Sequence, residues 1–358
     1  MSAADRVDPS LTELRERIVA AHSAGRALRL RGSGTKDFYG EAATGEVVDV
    51  RSCAGIVAYE PSELVITARC GTRLSRIESE LARHGQFLAF EPPAFAGDPT
   101  IGGVVASGLS GPRRAYAGAV RDFVLGASLL TASGELLHFG GQVMKNVAGF
   151  DVSRLLCGSL GTLGLITQVS LKVLPRPRAE ATLQFECDAA LALERFNRWR
   201  AQPLPISGTS WHAGVARVRL SGAASALRST RAVLGGETLD AAAAASWWRA
   251  LRDQTHEYFG GEGRLWRMSL PATLPHAASG ADLVEWSGAL RWLRSDEPAA
   301  SFRERMARLG GSAILWCGPR DASMFHPLDP VNLELHRRLK RQFDPNGIFN
   351  PGRLMAGL

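Results

Sequence analysis

Three glycine-dense segments carry the residue types suited to holding a flat or phosphorylated anion. The first, Arg31-Gly32-Ser33-Gly34-Thr35-Lys36, follows a strand-like run. Two glycines there let the backbone curl so that successive N–H groups point inward, a nest for phosphate oxygens, with Arg31 and Lys36 adding positive charge at the rim. The second, Asp98-Pro99-Thr100-Ile101-Gly102-Gly103 and on through Ser107-Gly108, lacks side chains where a ligand could approach the backbone closely. The third, Gly158-Ser159-Leu160-Gly161-Thr162-Leu163-Gly164, has glycine at every third position and runs into a strand through Ile166. Blander readings compete: a glycine-rich turn for the first segment, a tight crossing of two backbones for the third. Together, the three suggest one extended anionic ligand with several parts, which is the shape of a dinucleotide.

Other chemistries find little support. The third segment is neither the Rossmann fingerprint nor a P-loop, so classical NAD and nucleoside-triphosphate sites are disfavoured. Cys53, Cys70, Cys157, Cys187 and Cys317 are widely spaced and form no C-x-x-C, which leaves no local iron–sulfur or zinc-ribbon motif. The histidines form no H-x-H or H-E-x-x-H, and no metal site is expected. Isolated His212, His256, His276 and His326 read as surface or core residues.

Elements must hold these segments in place. A capping-box pattern at Ser10-Leu11-Thr12-Glu13 starts a helix over 10–24. Strands are expected at 27–31, 47–50, 64–69 and 87–90, with a helix capped by Thr72 and stopped by Gly85. A hairpin over 120–130 and 135–139 follows, and 165–174 alternates as a half-buried strand. In the second half, strands are expected near 183–186, 216–220 and 264–270, with helices over 189–200 and 223–234. Asp329-Pro330 opens a helix that ends at Phe343-Asp344-Pro345-Asn346-Gly347. Arg337, Arg338, Lys340 and Arg341 read as charge compensation at its C-terminal end. All the tryptophans lie after residue 198, and two prolines interrupt Leu174–Arg178, so the expected units are 1–175, 176–327 and 328–358.

The 358 residues suit two domains, and 45% hydrophobic with 22% charged residues is ordinary for a globular chain. The formal charge of +7 favours anionic ligands, yet no zinc finger or RNP-type box points to nucleic acid. No run is long and apolar enough to span a bilayer, and the N-terminus has no signal-peptide core. The expected location is the cytoplasm, with membrane contact only through a partner.

In this order, the three segments resemble the FAD-binding domain of the FAD-linked oxidases, the vanillyl-alcohol-oxidase/p-cresol-methylhydroxylase type. Leu64–Gly85 resembles that family's strand–Gly–helix unit, and Asp344-Pro345 through Asn350-Pro351-Gly352 is similar to its closing signature. The likeness covers roughly residues 10–175 and 328–354. The wording at 107–114, Val120–Gly126 and Met144–Asp151 is similar to the E-subunit family of bacterial glycolate oxidases.

The resemblance implies an α+β fold: a two-subdomain FAD-binding domain, a smaller α+β cap, and a C-terminal tail returning to the flavin. It implies that Gly32, Ser33, Gly34 and Thr35, flanked by Arg31 and Lys36, hold the FAD pyrophosphate. Pro99, Thr100, Gly102, Gly103, Ser107 and Gly108 would lie near the flavin–ribityl end. Gly158, Ser159, Gly161, Thr162, Gly164 and Ile166 would line the adenosine-to-ribityl stretch, and Asn350 would reach toward the isoalloxazine ring. The phosphate loop offers neither His nor Cys, so the FAD is expected to be non-covalent. Family enzymes that oxidise D-2-hydroxy acids carry a metal-binding histidine pattern that is missing here, and no base is nameable. The implied role is therefore a subunit of a glycolate oxidase complex, working beside a larger FAD-containing catalytic subunit and an iron–sulfur subunit. A self-sufficient FAD-dependent oxidoreductase on a small 2-hydroxy acid and a non-redox assembly scaffold remain open readings.

Overall fold

The computed structural model describes residues 9–141 and 151–358. The motif positions Met144–Phe150 fall outside them.

A five-stranded antiparallel sheet runs in the order Ile56–Glu60, Val65–Arg69, Leu165–Lys172, Val124–Leu130, Leu136–Gly140. Its central strands are buried nearly throughout, as expected where both faces are covered. Helix Leu74–Arg83 puts Leu74, Ile77 and Leu81 into that core at helical spacing. Beside it, Leu28–Arg31 and Glu46–Asp49 form a parallel pair packed on helix Pro9–Ser23 through Leu14, Ile18 and Ala21. The C-terminal tail does return: Leu28 N–H donates to Ile348 (2.7 Å) and Asn350 N–H to Leu28 (2.8 Å), so the tail lies along the parallel pair.

The second half builds an eight-stranded antiparallel sheet from strands between Ala179 and Cys317. One face is covered by its own helices. Phe196 of Ala189–Arg200 is fully buried, and Phe302 of Ala299–Arg308 stacks on Trp266 at 4.4 Å. On the opposite face, Trp292 and Trp316 of the sheet, Trp286 of the turn Trp286–Gly288 and Trp248 of the helix Ala241–Asp253 share one cluster with Phe38, Tyr39, Phe95 and Leu109 of the first half. Most of the tryptophans are thus spent on core packing. A buried charge cluster fastens the same junction: Glu91 accepts from Arg113 Nε and from Arg219, each at 3.0 Å, with all three side chains no more than 15% exposed.

Several expectations need correction. Thr72 is not a helix cap; its hydroxyl bridges the N–H and C=O of Gly55, and Arg73 stands at the cap position. The strand expected at 87–90 is only Gln86–Phe87. Val120–Phe123 is a helical turn, because Asp122 accepts from the Ala119 N–H before the strand starts at Val124. Lys340 is no dipole compensator: it is buried, and donates to Asp344 (2.7 Å) and to the carbonyls of Thr162 and Phe349.

Candidate functional site

The strand Leu28–Arg31 delivers the loop 32–36 to the mouth of a cleft. Gly34 sits at φ +77°, a conformation that favours glycine. The N–H groups of Gly32, Ser33, Gly34 and Thr35 find no acceptor among the described residues. Free backbone donors gathered in one half-buried loop at the mouth of a cleft are what an anion requires.

The charges at the rim differ. Arg31 Nε donates to Asp37 at 2.8 Å, and Arg29 to the same carboxylate at 2.9 Å, so that cation is partly spent. Lys36 Nζ is buried without a hydrogen-bond partner. Burial pushes its pKa down to about 8, opposed only by Asp253.

Thr100 caps the helix Ile101–Ser107 and brings the second segment to the same place. A Cβ on Gly32 would stand 2.2 Å from Thr100 Oγ1, so the two loops touch only because residue 32 has no side chain. Gly102 faces inward, where its Cβ would lie 2.7 Å from Cys70 Cβ. A Cβ on Gly103 would meet only Thr100 Oγ1, at 3.2 Å. Gly103 therefore opens onto the cleft, whereas Gly102 is glycine for packing.

Two adjoining clefts, with about 590 and 410 Å³ of open space, share Gly32, Thr100, Gly103 and Asn350 as walls. Arg31, Ser33, Gly34, Thr35, Lys36, Pro99 and Ser107 line the first. Gly102, Gly161, Gly164 and Ile166 line the second, with Cys70. One slot thus joins all three segments to the tail. The hydrogen bond to Cys53 and burial hold the Cys70 thiol well above the usual thiol range, so it stays protonated.

Some expected site residues stand elsewhere. Gly158, Ser159 and Thr162 line a different cleft, with Arg154 and His336. Gly108 lies against Gly158: a Cβ there would be 3.0 Å from Gly158 Cα, a close backbone crossing. Among the histidines, His212 and His276 bond the carbonyls of Asp282 and Ala281, and His326 accepts from the Ala313 N–H.

Asn350 acts as a clasp. Its Oδ1 accepts from Leu30 N–H at 2.8 Å and its Nδ2 donates to Leu160 C=O at 2.6 Å, which ties the first loop's strand to the third segment. Gly161 leaves room for it, since a Cβ there would be 2.8 Å from Asn350 Nδ2. Two residues that sequence reasoning missed complete the assembly. Arg353 donates to the carbonyls of Lys36, Asp37 and Glu41, and Asp344 accepts from the N–H groups of Ile348 and Phe349. Their only sequence signal was place: Asp344 opens the closing signature and Arg353 directly follows it.

The slot therefore offers free backbone donors, an ammonium with no hydrogen-bond partner and side-chain-free walls, a donor set that fits a pyrophosphate-bearing dinucleotide. Comparison with known proteins agrees. Residues 9–140 match the family model described as FAD binding domain, and 320–354 that of the FAD linked oxidases, C-terminal domain. The chain is 45% identical to glycolate oxidase subunit GlcE of Escherichia coli K12 over 346 residues, 96% of this chain and 97% of that one. It is 32% identical to glycolate oxidase subunit GlcD of Bacillus subtilis 168, over 43% of this chain and 33% of that one. A D-lactate dehydrogenase of Anaerostipes hadrus is 30% identical over 39% of this chain and 29% of its own length. Among solved structures, an alkyldihydroxyacetonephosphate synthase shares the fold with a TM-score of 0.64 at 16% identity, covering 95% of this chain and 75% of that one. The chain belongs to the FAD-linked oxidases, a family of FAD-dependent oxidoreductases, in the branch that contains glycolate oxidase subunit GlcE.

Proposed function

We propose that this chain is the FAD-binding E-type subunit of a glycolate oxidase complex, holding FAD non-covalently in the slot between its three glycine segments. The observation that carries the cofactor reading is the row of unsatisfied N–H groups at Gly32–Thr35 beside the Lys36 ammonium, which lies over the Phe95 ring and has no hydrogen-bond partner. Those donors would take the pyrophosphate. Gly103, Gly161, Gly164 and Ile166 would form walls against which a flat ring system lies, with Thr100 and Asn350 fixing the loops. The slot's chemistry supports non-covalent binding: among the described residues its lining has no histidine, and Cys70 is held as the thiol.

FAD, when bound, supplies a centre that takes two electrons at once and can release them singly. This chain's own residues bind and orient it and exclude water. The larger flavin subunit would oxidise glycolate to glyoxylate, and an iron–sulfur subunit would take the electrons, since the dispersed cysteines here offer no cluster ligands. Among the described residues no helix is long and apolar enough to cross a membrane.

The test is affinity purification of the tagged chain from cells expressing the whole complex, followed by flavin and iron assays. The proposal expects a second flavoprotein and an iron–sulfur protein in the eluate, and FAD on this chain that acid releases fully. Full glycolate-oxidising activity from the isolated chain would overturn the division of labour. Yellow colour retained in an acid pellet would overturn non-covalent binding.

A further inference from the structure

Two cysteines meet behind the wall of the slot. Cys53 and Cys70 are both free and buried, 2% and 1% exposed, and their thiols are hydrogen-bonded to each other. The backbone brings them together. Gly71 N–H donates to Cys53 C=O at 2.7 Å, and Thr167 C=O on the neighbouring strand accepts from both Cys70 N–H (2.8 Å) and the Cys53 thiol (3.8 Å). This approach needs glycine at 71, since a Cβ there would stand 2.7 Å from the Cys53 carbonyl oxygen. Backbones hydrogen-bonded one residue from Cys70 leave the two side chains the short reach that a disulfide requires.

A single buried thiol is a small packing residue. Two in hydrogen-bond contact are a dithiol, which can give up two electrons and two protons. Cys70 donates in this pair and burial helps it keep its proton, so Cys53 is the attacking sulfur and Cys70 the resolving one. Cys70 also forms part of the slot's wall. Its C=O accepts from Gly102 N–H at 2.9 Å, and Gly102 packs so closely that a Cβ would lie 2.7 Å from Cys70 Cβ. A shift of Cys70 therefore passes to Gly102 and on to Gly103, which opens onto the slot, because a close-packed interior transmits displacement.

We propose that Cys53 and Cys70 are a redox-sensitive pair which hydrogen peroxide closes to a disulfide, and that closure weakens FAD binding through Gly102. The Cys53 sulfur, its proton released to water, attacks one peroxide oxygen. The S–O bond forms, the O–O bond breaks, and the departing hydroxide takes up a proton as water. The Cys70 sulfur then attacks the sulfur of the Cys53 sulfenic acid. The S–S bond forms, the S–O bond breaks, and the Cys70 proton leaves with the hydroxyl as a second water. Two thiols and one peroxide become one disulfide and two waters, and a dithiol reductant reverses the change. The disulfide rests on the two sulfurs alone, and its effect on FAD rests on the cofactor reading.

Trypsin makes the pair readable, because it cuts after Arg69 and so separates Ser52–Arg69, which carries Cys53, from Cys70–Arg73. The full chain, reduced and then treated with sub-millimolar hydrogen peroxide, is quenched in acid, alkylated and digested. Mass spectrometry should find the two peptides joined and two hydrogens lighter than the free pair, and dithiothreitol should part them. Flavin-fluorescence titration of the same samples should show FAD bound roughly threefold or more weaker by the oxidised chain. Cys53→Ser should form no link and keep its FAD affinity through the peroxide treatment. The wild-type peptide map carries the test if that variant does not fold. No joined peptide while exposed Cys317 oxidises overturns the pair. A joined peptide with equal FAD affinity before and after peroxide overturns the coupling to the slot. A joined peptide in a chain that never binds FAD overturns the cofactor reading and leaves the pair standing, so the two fail separately.

Discussion

Gly103 offers a substitution that separates cofactor binding from folding. It lies within the helix Ile101–Ser107 and lines both clefts of the slot. A Cβ there meets only Thr100 Oγ1 at 3.2 Å, a contact the threonine relieves by shifting a few tenths of an ångström. Replacing a helical glycine gains roughly 0.5–1 kcal/mol from reduced chain entropy, part of which valine's branching removes. Gly103→Val should therefore leave stability in urea unchanged within about 1 kcal/mol. Its methyl groups, however, project where a ligand would lie. Overpacking of a filled site costs about 1–3 kcal/mol, a loss of roughly 5- to 150-fold in FAD affinity. Quenching of flavin fluorescence on titration into apo-protein measures it. Gly102→Ala is the contrast: its Cβ would press on Cys70 Cβ at 2.7 Å, so stability should fall by about 1–3 kcal/mol. Wild-type FAD affinity in a well-folded Gly103→Val would refute the placement of the cofactor.

Lys36 gives a pH prediction. Its folded, ligand-free pKa of about 8 lies below the 10.5 of the unfolded chain, so the unfolded state binds more protons between these values and stability rises with pH across that window. Lys36→Met should stabilise the apo-protein at pH 7 by roughly 3 kcal/mol while weakening FAD, seen in paired urea and flavin titrations. Phosphate oxygens raise the lysine's pKa, so FAD binding should take up protons near pH 8–9 and weaken as pH climbs further; calorimetry in two buffers of different ionisation enthalpy checks this. Asn350→Ala leaves the Leu30 N–H and Leu160 C=O without partners, and at about 1–3 kcal/mol for each group should cost roughly 2–6 kcal/mol and the FAD site together. Glu91→Gln takes the carboxylate from buried Arg219 and leaves Arg113 with Glu180 alone, and should lower stability by about 3–5 kcal/mol, with little loss if both arginines are also replaced by apolar residues.

The sequence made the first half legible because its signals are local. Leu74, Ile77 and Leu81 mark a helix by spacing, and 165–174 marks a strand by alternation. The glycine segments announced themselves by composition, though which glycine opens to the slot and which only packs, as with Gly103 against Gly102, depends on neighbours far along the chain. The same is true of Gly158, Ser159 and Thr162, whose motif predicts proximity but not the direction they face. Lys340 looked like a surface residue among three arginines, and only the returning tail buries it. In the second half, Ile206–His212, Leu283–Glu285, Leu290–Arg294 and Ser312–Cys317 escaped notice. Arginine, tryptophan and serine interrupt the apolar pattern of three of them, and Leu283–Glu285 is only three residues long.

Amide hydrogen exchange on the full chain, with and without saturating FAD, bears most directly on the claim that one slot gathers the three segments. FAD should slow exchange together at residues 32–35, at Gly103 and at Gly161–Gly164, with the free amides of 32–35 changing most. Protection confined to a single segment, or protection centred on Gly158 and Ser159 with 32–35 untouched, would contradict it.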